Sequence, residues 1–265
     1  MNPLAMGTVI FSDVHADADA VGMFAAYLRA PAFAGRFGPV DTVVNLGDIL
    51  HRGNNPERAL AIIRDLGKDF SLVSVLGNHD HAFLNDIPVS GSDEESTRRH
   101  NELHGSPLLD IFSGMPMDRA ENGILYVHGG PLDLGTQTLR LKCWQRLSHE
   151  PGDSFTGYHY TPQMAFDALE KRGLTHMVCG HQHTHICCQK TPSGIREHIL
   201  RFVREDDKNS PAGWIETAEV PLDTPTLFRL GGCHGELPEF AYLSGTAFTY
   251  IRMPVAPGSD RDPGQ

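Results

Sequence analysis

Five apolar runs in this chain each stop at a short polar loop, and that recurrence constrains the fold more than any other feature of the sequence. Thr8-Val9-Ile10-Phe11 runs into Ser12-Asp13-Val14-His15, and Asp41-Thr42-Val43-Val44-Asn45-Leu46 delivers Gly47-Asp48. Leu72-Val73-Ser74-Val75-Leu76 closes on Gly77-Asn78-His79-Asp80, Ile124-Leu125-Tyr126-Val127 on His128-Gly129-Gly130, and His176-Met177-Val178-Cys179 on Gly180-His181-Gln182-His183. Such short apolar runs read as buried strands. Ligands of an open α/β sheet gather outside the carboxyl ends of its strands, so loops carrying Asp, Asn and His can converge on one point. The pattern predicts one site built from five loops, with Gly77 letting the backbone turn sharply and come close to a ligand.

Between these runs the periodicity changes to helical. Residues 17–29 place Val21, Phe24, Ala25 and Leu28 at helical spacing, with Pro31 and Gly35 expected to end the helix. Pro56 opens a second helix with Leu60, Ile63 and Leu66 on its apolar face and Gly67 closing it. Residues 91–105 are polar and read as a surface helix or lid, and 131–162 include a rim loop over the site. Thr161-Pro162 starts a helix with Met164, Ala165, Ala168 and Leu169 on one face, ending at Gly173. From Ile186 onward the signal is β, with runs at 199–203, 214–220, 226–230 and 242–251. Strands grouped after βα units suggest a second sheet packed on the first.

At 265 residues the chain reads as a single domain, 1–254, with an inserted hairpin at about 190–224 and a disordered tail, 255–265. No run is long enough to cross a membrane and no signal peptide is visible at the start. Five cysteines, Cys143, Cys179, Cys187, Cys188 and Cys233, lack paired zinc-site spacing and read as reduced thiols of a cytoplasmic protein. The net charge of -11, without a Lys or Arg cluster, argues against nucleic acid and membrane as partners. It suits small phosphate esters or a phosphorylated protein drawn to a locally cationic pocket.

The loop residues are a mixed set of carboxylate, amide and imidazole donors without thiolate. That set suits manganese, iron, zinc, cobalt or nickel better than an all-oxygen magnesium or calcium site. Asp13 and His15, two residues apart in an extended loop, can point to the same side.

Asp-x-His, Gly-Asp, Gly-Asn-His-Asp, His and Gly-His-x-His stand here complete and in order from Asp13 to His183, and at these residues the chain resembles the calcineurin-like metallophosphoesterases. The resemblance implies an α/β fold, a two-sheet β-sandwich flanked by helices, and a binuclear centre of two divalent or trivalent transition-metal ions, manganese first among them. It assigns Asp13, His15, Asp48 and His183 to one ion and Asp48, Asn78, His128 and His181 to the other, with the two oxygens of Asp48 as the bridge. Two cations about 3.5–4 Å apart hold a bridging hydroxide for in-line attack on a phosphoester. His79, beside a ligand without being one in the family pattern, is assigned general-acid or oxyanion-stabilising duty, with Asp80 orienting its ring.

Gly47-Asp48-Ile49-Leu50-His51-Arg52-Gly53 is similar to the Gly-Asp-x-x-Asp-Arg-Gly block of serine/threonine phosphoprotein phosphatases, whose arginine forks onto the phosphate. Arg52, Asn78 and His79 are thus the implied substrate contacts. His51 departs from that block, Asp80 stands where those phosphatases have Glu, and a second histidine is kept at His183. Diadenosine polyphosphate hydrolases also carry Gly-Asn-His-Asp. A phosphomonoesterase of phosphoprotein-phosphatase type is the first expectation; phosphodiester or dinucleoside polyphosphate hydrolysis is the second, and a non-catalytic binding module of the same fold the third. Of the remaining residues, His100, His104, His149 and His198 read as structural, and Arg98-Arg99 as a solvated helix face. His51 and His185 are balanced between site and surface roles; Cys187-Cys188 and Cys233-His234 could suggest redox or zinc chemistry, with buried inert thiols the preferred reading and the role of His234 left open.

Overall fold

The computed structural model describes residues 6–255. A seven-stranded sheet runs from edge to edge through Val203–Asp206, Trp214–Pro221, Ala247–Arg252, Glu239–Leu243, Gly7–Phe11, Val40–Asn45 and Ser71–Ser74. A six-stranded sheet runs through Gly194–Glu197, Ile186–Thr191, Thr226–Arg229, His176–Cys179, Ile124–Val127 and Asp118–Glu121. The first three strand runs lie parallel in one sheet and the other two lie parallel in the other.

Alternation along each strand explains the layering, because successive side chains leave opposite faces. Ile10, Val44, Tyr126, Val178 and Phe228 turn into a core between the sheets, where Phe228 stacks on Phe248 of the opposite sheet at 4.0 Å. Val9, Phe11 and Val43 turn the other way, against Val21, Phe24, Leu60 and Ile63 of the helices Ala18–Arg29 and Pro56–Leu66. Leu125, Val127, Met177 and Cys179 pack on Ala165, Phe166 and Leu169 of Pro162–Lys171. The result is the expected two-sheet sandwich flanked by helices.

Several local expectations are corrected. Pro31 does not simply end the first helix; it opens a short one, Pro31–Phe37, where a missing N–H costs nothing. Asn78-His79-Asp80 is the first turn of a helix, Asn78–Leu84, and not a loop. The run 199–203 yields a strand only from Val203: Leu200 and Phe202 pack inward, but among the described residues no neighbouring strand pairs with 199–202. The run 242–251 is two strands, because Ser244-Gly245-Thr246 turns the chain back and Ser244 bonds Ala247 O. Residues 190–224 extend one edge of both sheets. The tail expected to be disordered lies, Val255 apart, outside the described residues. Among the described residues no helix is long and apolar enough to cross a membrane.

Candidate metal centre

The loops that leave the strands are held in backbone conformations that most residues avoid. Asp13 (φ 54°), His15 (49°), Asp48 (57°), Arg52 (69°), His181 (70°) and His183 (54°) are all left-handed. Each such residue costs on the order of 1–3 kcal/mol and persists only where its surroundings over-determine it. Here the loops brace one another: Asp13, His15 and Ala16 donate their N–H groups to Gly47, Asp48 and Ile49 carbonyls, and His181 N–H donates to Asp13 Oδ2 at 2.9 Å.

Asp80 is the hub of this bracing. Its Oδ2 accepts the N–H of Asp48 at 2.8 Å and of Gly77 at 3.3 Å, and its Oδ1 accepts those of Ile49 and Leu50 at 2.9 and 3.1 Å. The carboxylate therefore fixes the Asp48 loop; it is not bonded to the His79 ring, whose Nδ1 is buried without a partner. The expectation that Asp80 orients His79 is corrected accordingly: both oxygens are already committed to backbone donors.

All seven expected ligands come together. His183 Nε2 stands 3.2 Å from Asp13 Oδ1 and 3.0 Å from His15 Nε2. His128 Nε2 stands 3.2 Å from Asp48 Oδ2 and 3.1 Å from Asn78 Oδ1. Asp48 also joins a group with His128 and His181, and Asp48 Oδ2 lies 3.8 Å from His15 Nε2, so it faces both clusters. The residues fit cations on their own chemistry. Among the described residues Asp13 Oδ1 and Asp48 Oδ2 are buried with only imidazole nitrogens beside them, His183 Nε2 and His128 Nε2 at 3.2 Å, a costly arrangement unless something positive sits among them. The Nδ1 atoms of His15 and His128 lie 3.2 and 2.8 Å from the carbonyls of Leu50 and Leu46, which fixes the proton there and turns each Nε2 lone pair toward the cluster.

Without a cation, protons on the imidazoles stand in for its charge, and a bound ion would displace the one on His128 Nε2. Burial opposes charge on Asp13 and Asp48, but the surrounding imidazoles outweigh it and hold both well below the usual carboxylate range. Burial likewise opposes charge on His128, yet Asp48 beside it pushes the imidazole up to about 9. Burial holds His15 and His181 well down, and burial, partly offset by Asp48, lowers His79.

Arg52 reaches over this centre, with Nη2 3.4 Å from His79 Nε2 and Nη1 3.5 Å from His183 Nδ1. Its backbone N–H donates to Ser92 Oγ at 2.9 Å. Sequence reasoning missed Arg146, whose Nη1 lies 3.1 Å from His181 Nε2. Arg146 belongs to a small three-stranded sheet, Arg146–Leu147, Gly157–Tyr160 and Gly152–Ser154, in the stretch expected to form a rim. Gln182 fastens that sheet to the loop of His181 and His183, accepting Leu147 N–H at 2.7 Å and donating to Leu147 O at 3.1 Å. His234 was missed as well, although Thr226 to Leu230 is a sixth apolar run ending in glycines and a histidine. Its Nε2 lies 3.2 Å from His183 Nδ1.

His51 lies outside the clusters of candidate ligands, with its ring 5.4 Å from that of His79 and its N–H donating to His100 Nε2 at 2.7 Å. Burial pushes His51 down to about 3. His100 is structural, its Nδ1 2.7 Å from Ser96 O, and His104 stacks on Phe83. His185 pairs with Glu239 and Arg252. Arg98 and Arg99 pair with Glu95 on an exposed helix face, and all five cysteines are free and buried.

Comparison with known proteins bears on the fold and the family. No curated protein sequence matches the chain. A metallophosphoesterase from Sphaerobacter thermophilus shares the fold with a TM-score of 0.62 at 19% identity, over 95% of this chain and 89% of that one. A protein serine/threonine phosphatase from Saccharomyces cerevisiae matches with a TM-score of 0.53 at 12% identity, over 91% and 73%. A putative diadenosine tetraphosphatase matches with 0.51 at 17% identity, over 97% and 96%. The family description "Calcineurin-like phosphoesterase" matches residues 6–185, the stretch that carries every expected ligand, and the chain belongs to that family.

Proposed function

We propose that this chain is a metal-dependent phosphomonoesterase of serine/threonine-phosphatase type, acting on a phosphorylated small molecule or phosphoprotein. The observation that carries the reading is the placing of Asp48 Oδ2 toward two imidazole clusters, each with an arginine against it: Arg52 at His183 and Arg146 at His181. Asp13, His15, Asp48 and His183 would hold one ion, and Asp48, Asn78, His128 and His181 the other. A pair of transition-metal ions such as manganese supplies Lewis acidity at the phosphoryl group and activates water.

The chain's own residues do the rest. Arg52 and Arg146 offer two guanidinium forks, matching the two charges of a monoester dianion better than the single charge of a diester. His79, between Arg52 and His15, would serve the departing oxygen as general acid or oxyanion stabiliser. Asp80 keeps the Asp48 loop from relaxing. The buried free cysteines suit a reducing compartment, and we place the protein in the cytoplasm. Dinucleoside polyphosphate hydrolysis is the second reading, carried by Gly77-Asn78-His79-Asp80 together with the fold likeness to a putative diadenosine tetraphosphatase.

The test is manganese-dependent hydrolysis of p-nitrophenyl phosphate against bis-p-nitrophenyl phosphate by the wild type and Asp48→Asn. Preference for the monoester, abolished in the variant, supports the proposal. Preference for the diester sends the search to nucleotides, and inactivity on both with every metal tried points to a non-catalytic member of the family.

A further inference from the structure

His183 offers its two ring nitrogens to different neighbours. Nε2 faces His15 Nε2 at 3.0 Å and Asp13 Oδ1 at 3.2 Å, inside the cluster. Nδ1 faces His234 Nε2 at 3.2 Å and Arg52 Nη1 at 3.5 Å. A neutral imidazole has one N–H and one lone pair, and arginine only donates. If Nδ1 accepted from Arg52, the ring proton would sit on Nε2 and the lone pair would be lost to the cluster. If Nδ1–H donates to His234 instead, the Nε2 lone pair points at the cation position and Arg52 is left for a phosphate.

For His15 and His128 the second nitrogen is held by a backbone carbonyl, of Leu50 and Leu46. Among the described residues His183 has no such carbonyl, and His234 stands in that place. The loop carrying His234 is built to hold it there. Cys233 N–H donates to Ser12 O at 2.8 Å and Gly235 N–H to Asp17 Oδ2 at 3.0 Å, so the loop is pinned on both sides of His234 to the segment bearing Asp13 and His15. The His234 ring lies 4.9 Å from that of His183 and 5.5 Å from that of His15, edge-on to the latter. Gly232 lies so close to this ring that a Cβ would collide with it.

We propose that His234 is a positioning residue that accepts the Nδ1–H of His183, fixing the tautomer in which His183 can ligate a cation and freeing Arg52 for substrate. The inference rests on the cation-binding reading above. Partners of this kind typically govern metal affinity by about 10–100-fold.

The test compares full-length wild type, His234→Ala and His234→Gln for manganese content per chain and for retention against a competing chelator. Alongside it, nitrogen NMR of histidine-labelled, zinc-loaded protein reads the His183 tautomer and whether His234 Nε2 accepts its proton, because without a cation Asp13 Oδ1 and the His15 lone pair invite the proton onto Nε2. The expected result is a wild type binding two ions with His183 protonated on Nδ1, and His234→Ala weakening one ion by about 10–100-fold while the other stays. His234→Gln, whose side-chain carbonyl can accept, keeps both. Equal retention in His234→Ala, or a wild-type His183 protonated on Nε2, overturns the inference. A wild type that takes up no manganese defeats the functional reading instead, and the tautomer then decides this one, as it does if His234→Ala fails to fold.

Discussion

Asp80 Oδ2 accepts the backbone N–H of Asp48 at 2.8 Å, which makes the carboxylate at the start of one helix the clamp on the Asp48 loop in the neighbouring βα unit. With four N–H groups aimed at it, this carboxylate has no neutral substitute of the same shape. Asp80→Asn offers one acceptor oxygen and turns an NH2 group toward donors, so the Asp48 loop loses the bonds that keep it left-handed. Metal affinity should fall about 10–100-fold, measured by chelator competition. Wild-type metal retention with lost turnover would mean that Asp80 serves His79 after all.

Gly77 is where two loops come closest. A Cβ there would overlap the backbone nitrogen and Oδ1 of Asp48, neither of which can move without carrying the candidate bridging carboxylate with it. Gly77→Ala should therefore lose metal and at least one of the two ions' worth of activity, while the helices and sheets remain. Circular dichroism with metal analysis checks both halves; a variant that keeps full metal content contradicts the tight approach.

The arginines separate binding from metal retention. Arg52→Ala or Arg146→Ala should each lower kcat/KM for a phosphomonoester by about 10²–10³-fold, with metal content unchanged. The loss should be smaller for a diester, which carries one charge fewer. Equal losses on both ester types would remove the argument for a monoesterase.

Much of the centre was legible because each candidate ligand follows a short apolar run or the glycine that ends it, so one signal both located the strands and announced their loops. Arg146 was not legible for the converse reason: its strand, Arg146–Leu147, is two residues long and has no periodicity to detect. What places Arg146 is Gln182, a residue between two candidate ligands that looks like a spacer in sequence and is a clamp in space. His234 ended a sixth apolar run but lacked a motif, and only proximity to His183 gives it meaning. The helix at Asn78 was missed because its start has no side-chain cap from Gly77; Asp80, at the third helical position, bonds back to the Gly77 N–H.

Gln182 should accordingly act on catalysis through Arg146. Gln182→Ala removes both bonds to Leu147 and the contact from Arg229 Nη1 at 2.7 Å. It should raise KM for a phosphomonoester in the wild-type background and change little in an Arg146→Ala background, a non-additivity that a double-mutant cycle measures. Additive effects would detach Gln182 from Arg146.

Far from the centre, Tyr27 and Asp207 give a prediction for stability against pH. The Tyr27 hydroxyl, on the first helix, donates to Asp207 Oδ2 at 2.6 Å, tying that helix to the turn between Val203–Asp206 and Trp214–Pro221. Burial works against charge on Asp207, but the bonds from Tyr27 and the Asn209 backbone outweigh it and hold the carboxyl below its ordinary value of 3.8. A carboxylate with a lowered folded pKa contributes stability that is present above its unfolded value and is lost as pH falls through the folded one. Tyr27→Phe should thus cost about 1.5–3 kcal/mol near neutral pH, as expected for a hydrogen bond to a charged group. The difference from wild type should shrink as pH falls below the ordinary carboxylate value and through the lowered value of folded Asp207, which protonates it. Urea denaturation of both proteins at neutral and acid pH decides it: a gap that stays constant across that range would mean the Tyr27 bond does not depend on the charge of Asp207.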